Sequence, residues 1–473
     1  MRFTKFGKTL SMGVLSAGVI FGVTSCVESY TVGFLYVTGN VTASTGSNGI
    51  ISGYKIDHNT GRLATINGLP VSSGGANPVR AVLTVGSTFL YVLNRGVNTA
   101  GNGDCYTANP CNNANITEFA VGGNGILTPQ ETFYTQGINP FRLMVDTTGS
   151  YLMVLDHDAP DSNSYTGLKA TSNSCSAALG TGVTSCGDIT VFQINSTTGR
   201  LSLVVNAPVT SAGGSALTYF PVPANPVDFV LSGGYVLTLT NAPTPTSFPY
   251  TGGTAVWPYA YAAGSGQLTL SQNSVQPLYT TTASGTQVAI AQGNAIVNAN
   301  SVIYVLDNEP LTITSGTAFP TGLYPGGQIL PYTAGTGGAL QGEPSGVFPI
   351  TATLANPIQV LVGGSGKWLY VANQGNNTTG NNPESGIAGY SIFNSPSYEL
   401  QFIPEQPFGS GSGPQCIVED PSNQFVYEAN EYDSTITGRT IDPNTGDLNT
   451  MRSTETYTLE GQPSWCLIDG RTG

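Results

Sequence analysis

Short apolar runs recur along this chain roughly every 65 residues, and each time they come as the same set. The first run is aromatic-apolar around a Tyr-Val step. It reads Phe34-Leu35-Tyr36-Val37, Phe89-Leu90-Tyr91-Val92, Tyr151-Leu152-Met153-Val154, Tyr235-Val236-Leu237-Thr238, Val302-Ile303-Tyr304-Val305, Trp368-Leu369-Tyr370-Val371 and Phe425-Val426-Tyr427-Glu428. A second run follows with apolar residues at i, i+3 and i+5, as in Ile51/Tyr54/Ile56 and Ile189/Phe192/Ile194; the seventh copy, Ile436/Arg439/Ile441, is polar at its centre. A turn and a leucine close each unit, as in Thr198-Gly199-Arg200-Leu201. Ahead of most Tyr-Val runs lies another that opens on proline: Asn77-Pro78, Asn139-Pro140, Asn225-Pro226, Asn356-Pro357 and Gly413-Pro414. Proline at the first residue of a strand removes no ladder bond. Each unit therefore reads as four strands, A to D.

Seven four-stranded units predict an all-β fold, a seven-bladed β-propeller of antiparallel blades. The phase of the repeat supports closure. The first unit starts at Phe34 with strand B, and the chain ends on an unpaired strand A, Gln462-Pro463-Ser464-Trp465-Cys466-Leu467-Ile468. The C-terminal strand should complete the N-terminal blade. Pro258 and Pro331 fall inside strand C of blades four and five, where a bulge or an irregular blade is expected.

The N-terminus reads as an export signal rather than as part of the fold. Arg2, Lys5 and Lys8 precede an apolar stretch from Leu10 to Val23, and Val23-Thr24-Ser25-Cys26 resembles a bacterial lipobox. The expected organisation is a signal peptide at 1–25, a linker lipidated on Cys26 at 26–33, and a propeller at 34–473. The expected location is the cell envelope, anchored in the outer membrane and facing the periplasm or the surface. Six further cysteines suit an oxidising compartment. Proximity favours Cys105–Cys111 and Cys175–Cys186, and the repeat puts Cys416 and Cys466 on neighbouring inner strands.

Charge narrows the partners. Charged residues are only 9% of the chain and the net charge is −13. No basic run appears, so nucleic acid is excluded as an expected partner. No cofactor is implied. Asp156-His157-Asp158 with Asp161 offers metal-ligand atoms, but the spacing fits no metal motif and reads as a solvated loop.

The B–C loops are the long ones, so one face of the disc carries an elaborated rim. Asn94, Asp156, Asp307, Asn373 and Asn430 recur just after strand B, as turn formers or as ligand-binding candidates. Strand A contributes Arg80, Arg142, Asp228 and Gln359, each two residues after its proline, and these share one orientation that could face the channel.

The whole repeat region resembles the lactonase-like seven-bladed propellers of the 6-phosphogluconolactonase type. The resemblance is most specific from Gly411-Ser412-Gly413-Pro414-Gln415-Cys416 to Asn430-Glu431. The family pattern there is Gly-Pro-Arg-His, followed by Asn-Glu after the next strand. Asn430 and Glu431 match, whereas Gln415 and Cys416 replace the anion-holding Arg and the proton-transferring His that the resemblance implies. Two readings follow. One is a binding propeller that takes a glycan, peptide or protein at the long-loop face. The other is a lactone hydrolase rebuilt around Glu431 as base, with Arg142 and Arg80 as cations and His157 as proton donor.

Overall fold

The computed structural model describes residues 30–41, 48–98, 111–162, 173–211, 214–241, 253–281, 287–299, 302–313, 319–342, 348–376, 384–393, 399–452 and 455–471. Seven antiparallel sheets form the blades of a propeller. Their inner strands touch in cyclic order. Blade one is the composite one. Its strand A, Gln462–Asp469, pairs with strand B, Thr31–Asn40, which begins three residues ahead of Phe34. The expected ring closure is therefore present. The signal peptide and Cys26 lie outside the described residues, as does Cys105 of the expected Cys105–Cys111 pair.

The core is divided into layers between blades. Seven clusters of buried apolar residues each join two neighbouring blades. The tyrosine of the Tyr-Val step explains part of the repeat. Tyr36 donates to the Gly125 carbonyl (2.8 Å), Tyr370 to Gly446 (2.8 Å) and Tyr427 to Gly61 (2.6 Å), in each case into the C–D turn of the next blade. Those turn glycines have positive φ, which any other residue would hold under strain. The repeated Tyr and the repeated Thr-Gly turn are thus two ends of one interblade hydrogen bond.

Pro258 and Pro331 sit in regular strands, which corrects the expected bulge. Ladder pairing with strand B runs through both without a shift. On the outer side, each proline falls in the gap between strand D and a short extra strand, where no partner is missing a donor.

The irregularity lies in strand A instead. In all seven blades the register shifts just after the proline or its equivalent, as between Pro78 and Arg80, Pro140 and Arg142, and Pro414 and Cys416. A bulge adds one unpaired residue and re-aims its neighbours. The residue before the proline holds positive φ at Asn77, Asn139, Asn225, Asn356 and Gly413. Asn and Gly tolerate that conformation best, which accounts for the Asn-Pro and Gly-Pro steps.

Candidate functional site

The bulges build the channel. In blades one to six the residue two beyond the proline or its equivalent lines a central cavity of about 180 Å³, as Trp465, Arg80, Arg142, Asp228, Ala295 and Gln359, whereas Cys416 of blade seven does not. The four strand-A candidates therefore share one cavity. Most of them also tie one inner strand to another. Arg142 Nε donates to Asp228 Oδ1 at 3.2 Å, and Asp228 Oδ2 accepts from the Ile296 N–H at 3.1 Å. Gln359 accepts from the Ile417 N–H at 2.9 Å, and Trp465 Nε1 donates to the Ala81 carbonyl at 3.1 Å. Arg80 instead lies over the Trp465 ring, 3.5 Å from its centroid. Burial, and then the charge of Arg142, push the Arg80 guanidinium down from its ordinary value, while Asp228 opposes the shift.

Glu431 is at the rim, not in the cavity lining. The bulge residue Gln415 donates to its carboxylate, and Gln374 Nε2 donates to the same oxygen at 2.9 Å. Asn356 Nδ2 donates to Gln374 Oε1 at 2.7 Å, and Asn308 Nδ2 to Asn356 Oδ1 at 3.2 Å. A row of half-buried amides from blades five, six and seven thus runs in one sense into the carboxylate of Glu431. Sequence reading missed this row. The available signal was positional: the residue after the recurrent Asx or Thr reads Arg95, His157, Asn241, Asn308, Gln374 and Glu431 in blades two to seven.

The recurrent Asx residues themselves are corrected. Asn94, Asp156, Asp307, Asn373 and Asn430 lie within strand B and are fully buried. They brace strand B against strand C of the same blade. Asn94 donates to Asn115 and Thr117, Asn430 to Thr435 and Thr437, Asn373 to the Gly386 carbonyl, and Asp307 accepts from Gln328 at 2.8 Å. Burial pushes Asp307 up to about 6.

Blade three carries two acids at this brace. Asp156 pairs in register with Asp188, both are fully buried, and the Thr190 hydroxyl stands between them, 3.2 and 3.3 Å from each. Burial pushes Asp156 up to about 8, and burial together with the charge of Asp156 holds Asp188 well above the carboxylate range. The solvated-loop reading of 156–158 is therefore wrong. Asp156, His157 and Asp158 belong to strand B, Tyr151–Asp158, and His157 Nδ1 lies 3.0 Å from the buried Asp158 carboxylate. His157 is thus a strand residue rather than a rim-loop residue. Among the described residues, no three such groups are arranged to hold a metal ion.

The two disulfides among the described residues have different settings. Cys416–Cys466 joins the inner strands of blades seven and one, with Cα atoms 5.8 Å apart, and both cysteines are buried. The position that would hold the family histidine is thus inside a ring-closing bond. Cys175–Cys186 fastens the loop after strand B of blade three, whose short helix, Ser174–Leu179, packs in a separate apolar cluster.

Comparison with known proteins agrees with this architecture. Residues 347–465, spanning blades six and seven and the start of the closing strand, match a family model described as lactonase, 7-bladed beta-propeller. No curated protein sequence matches the chain. Among solved structures, the periplasmic gluconolactonase of Pseudomonas aeruginosa superposes with a TM-score of 0.58 at 15% identity, covering 92% of this chain and 99% of the other. A candidate 6-phosphogluconolactonase of Bacteroides uniformis gives 0.60 at 14% identity, covering 92% and 99%. At such identities the likeness concerns the fold.

Proposed function

We propose, from a lactonase-type propeller whose family motif survives only at Asn430 and Glu431, that this chain is an envelope-anchored binding protein for a sugar or the end of a glycan. The anchor would be lipid on Cys26, and the binding face the long-loop side of the disc. One observation carries the reading: Glu431 is held by two amides, Gln374 and Gln415, at the end of a half-buried amide row. A sugar hydroxyl donates and accepts at once, and paired amide and carboxylate groups meet both needs. Opening a lactone needs a base and an oxyanion stabiliser at one reacting atom. Here Arg80 and Arg142 line the cavity, and Glu431 faces amides at the rim.

The alternative, a lactone hydrolase, is favoured by the match at Asn430-Glu431. The binding reading is tested by calorimetric titration of residues 27–473 with neutral oligosaccharides. Gln374→Ala and Gln415→Ala should each weaken binding about tenfold, the effect of losing hydrogen bonds to a charged group. Unchanged affinity in both variants would overturn the amide row as the binding surface, and binding only to peptides would replace the glycan by a protein partner.

A further inference from the structure

We propose that the central channel holds a small monocarboxylate against Arg80, in a site separate from the amide row. The polar residues at equivalent bulge-set positions are occupied. Arg142 binds Asp228, Asp228 and Gln359 accept backbone N–H groups of the next blades, and Trp465 donates to Ala81. Arg80 makes no such hydrogen bond among the described residues; one of its faces is covered by Trp465. Stacking on a ring leaves the edges of a guanidinium, where its donors lie, turned to the cavity. That edge is a fork matched to a planar carboxylate.

Charge points the same way. The ionised groups of the lining are two cations, Arg80 and Arg142, and one anion, Asp228. One positive charge is left over in a chain of net charge −13. Arg80 shares the one carboxylate of the lining with Arg142, which is ion-paired to it; a partly buried cation so under-compensated is destabilising, and a bound anion removes the penalty. A single surplus charge beside Asp228 selects a monoanion and disfavours a phosphate ester. Size agrees too. A cavity of about 150 Å³ admits benzene, so about 180 Å³ takes an acid of a few carbons, with Ala295 and Ile358 as apolar wall.

Trp465 supplies the readout. The full-length chain in detergent is titrated with sodium propionate, lactate and gluconate, and separately with sodium phosphate, at ionic strength held constant with sodium chloride. Tryptophan emission should change saturably with at least one carboxylate. Arg80→Gln should weaken that binding tenfold or more, and Arg80→Lys should retain part of it. The carboxylate should also raise the melting temperature of the parent but not of Arg80→Gln, which keeps the claim testable if emission is insensitive. No saturation and no melting shift with any carboxylate would overturn the proposal. So would equal binding in Arg80→Gln, or phosphate binding as tightly as the acids.

Discussion

Blade seven and blade three hold different chemistry at the same positions of one repeat. At the brace, blade seven has Asn430 against two threonine hydroxyls, and blade three has Asp156 against Asp188. One residue on, blade seven has Glu431 between amides, and blade three has His157 beside Asp158. On strand A, two residues after the proline, blade seven has Cys416 tied to Cys466 in the apolar layer, and blade three has Arg142 tied to Asp228 in the channel. A repeat fixes where a side chain stands and leaves its chemistry open. Glu431 is held by amides after strand B, whereas Arg80 and Arg142 line the channel, whose lining does not include Glu431. That difference of surroundings is the physical argument against hydrolysis.

The largest expected effect concerns Cys416. If it is structural, Cys416→Ser with Cys466→Ser should lower the unfolding free energy by about 4 kcal/mol, from the chain entropy released by opening a loop of that length. Urea unfolding measures this, and ligand binding should persist under native conditions. A loss of binding with unchanged stability would instead put Cys416 in the site.

Blade three should show its acids in the pH profile. Asp156 and Asp188 are raised in the folded state above the unfolded range near 3.9. The folded chain therefore holds protons that the unfolded chain releases. For Asp156 the stabilisation is full below about pH 4 and is lost as pH rises towards its folded value near 8, and Asp188, held well above the carboxylate range, acts in the same direction. Asp188→Asn replaces the second acid by an amide, the group that blade two carries there as Asn115, opposite Asn94. The variant should lose less stability than the parent between pH 4 and pH 8, so the difference between them grows in the variant's favour as pH rises. Parallel pH profiles for parent and variant would contradict the account of two raised acids at this brace. Blade seven has no such pair at its brace, so Asn430→Asp should create a similar dependence.

The smallest effect tests the interblade tie. Tyr427→Phe removes the hydrogen bond to Gly61 and leaves that carbonyl unpaired, so stability should fall by about 1 kcal/mol in urea melts. No change would make the repeated tyrosine a matter of packing alone.

The blades and the ring closure were legible because apolar spacing and turn residues repeat seven times, and the Tyr-Val step recurs even where flanking loops differ. The strand-A residues were legible as a set because Arg80, Arg142, Asp228 and Gln359 follow the same proline. Their bulge was not, since only pairing register reveals an extra residue. Asn94 and its equivalents were misread because an Asx residue before a long loop has the same sequence signature as a turn, and burial comes from the neighbouring blade. The amide row was invisible for a related reason: its members lie in four separate segments, and only the ring brings them together.

The separation of acid and cation is tested most directly by lactone hydrolysis. Purified residues 27–473 are mixed with 6-phosphogluconolactone and with a panel of uncharged lactones, and acid release is followed beside Glu431→Gln. The account predicts no turnover above the uncatalysed rate for either protein. Turnover in the parent that Glu431→Gln removes would contradict it, and would make Glu431 the base of a working hydrolase.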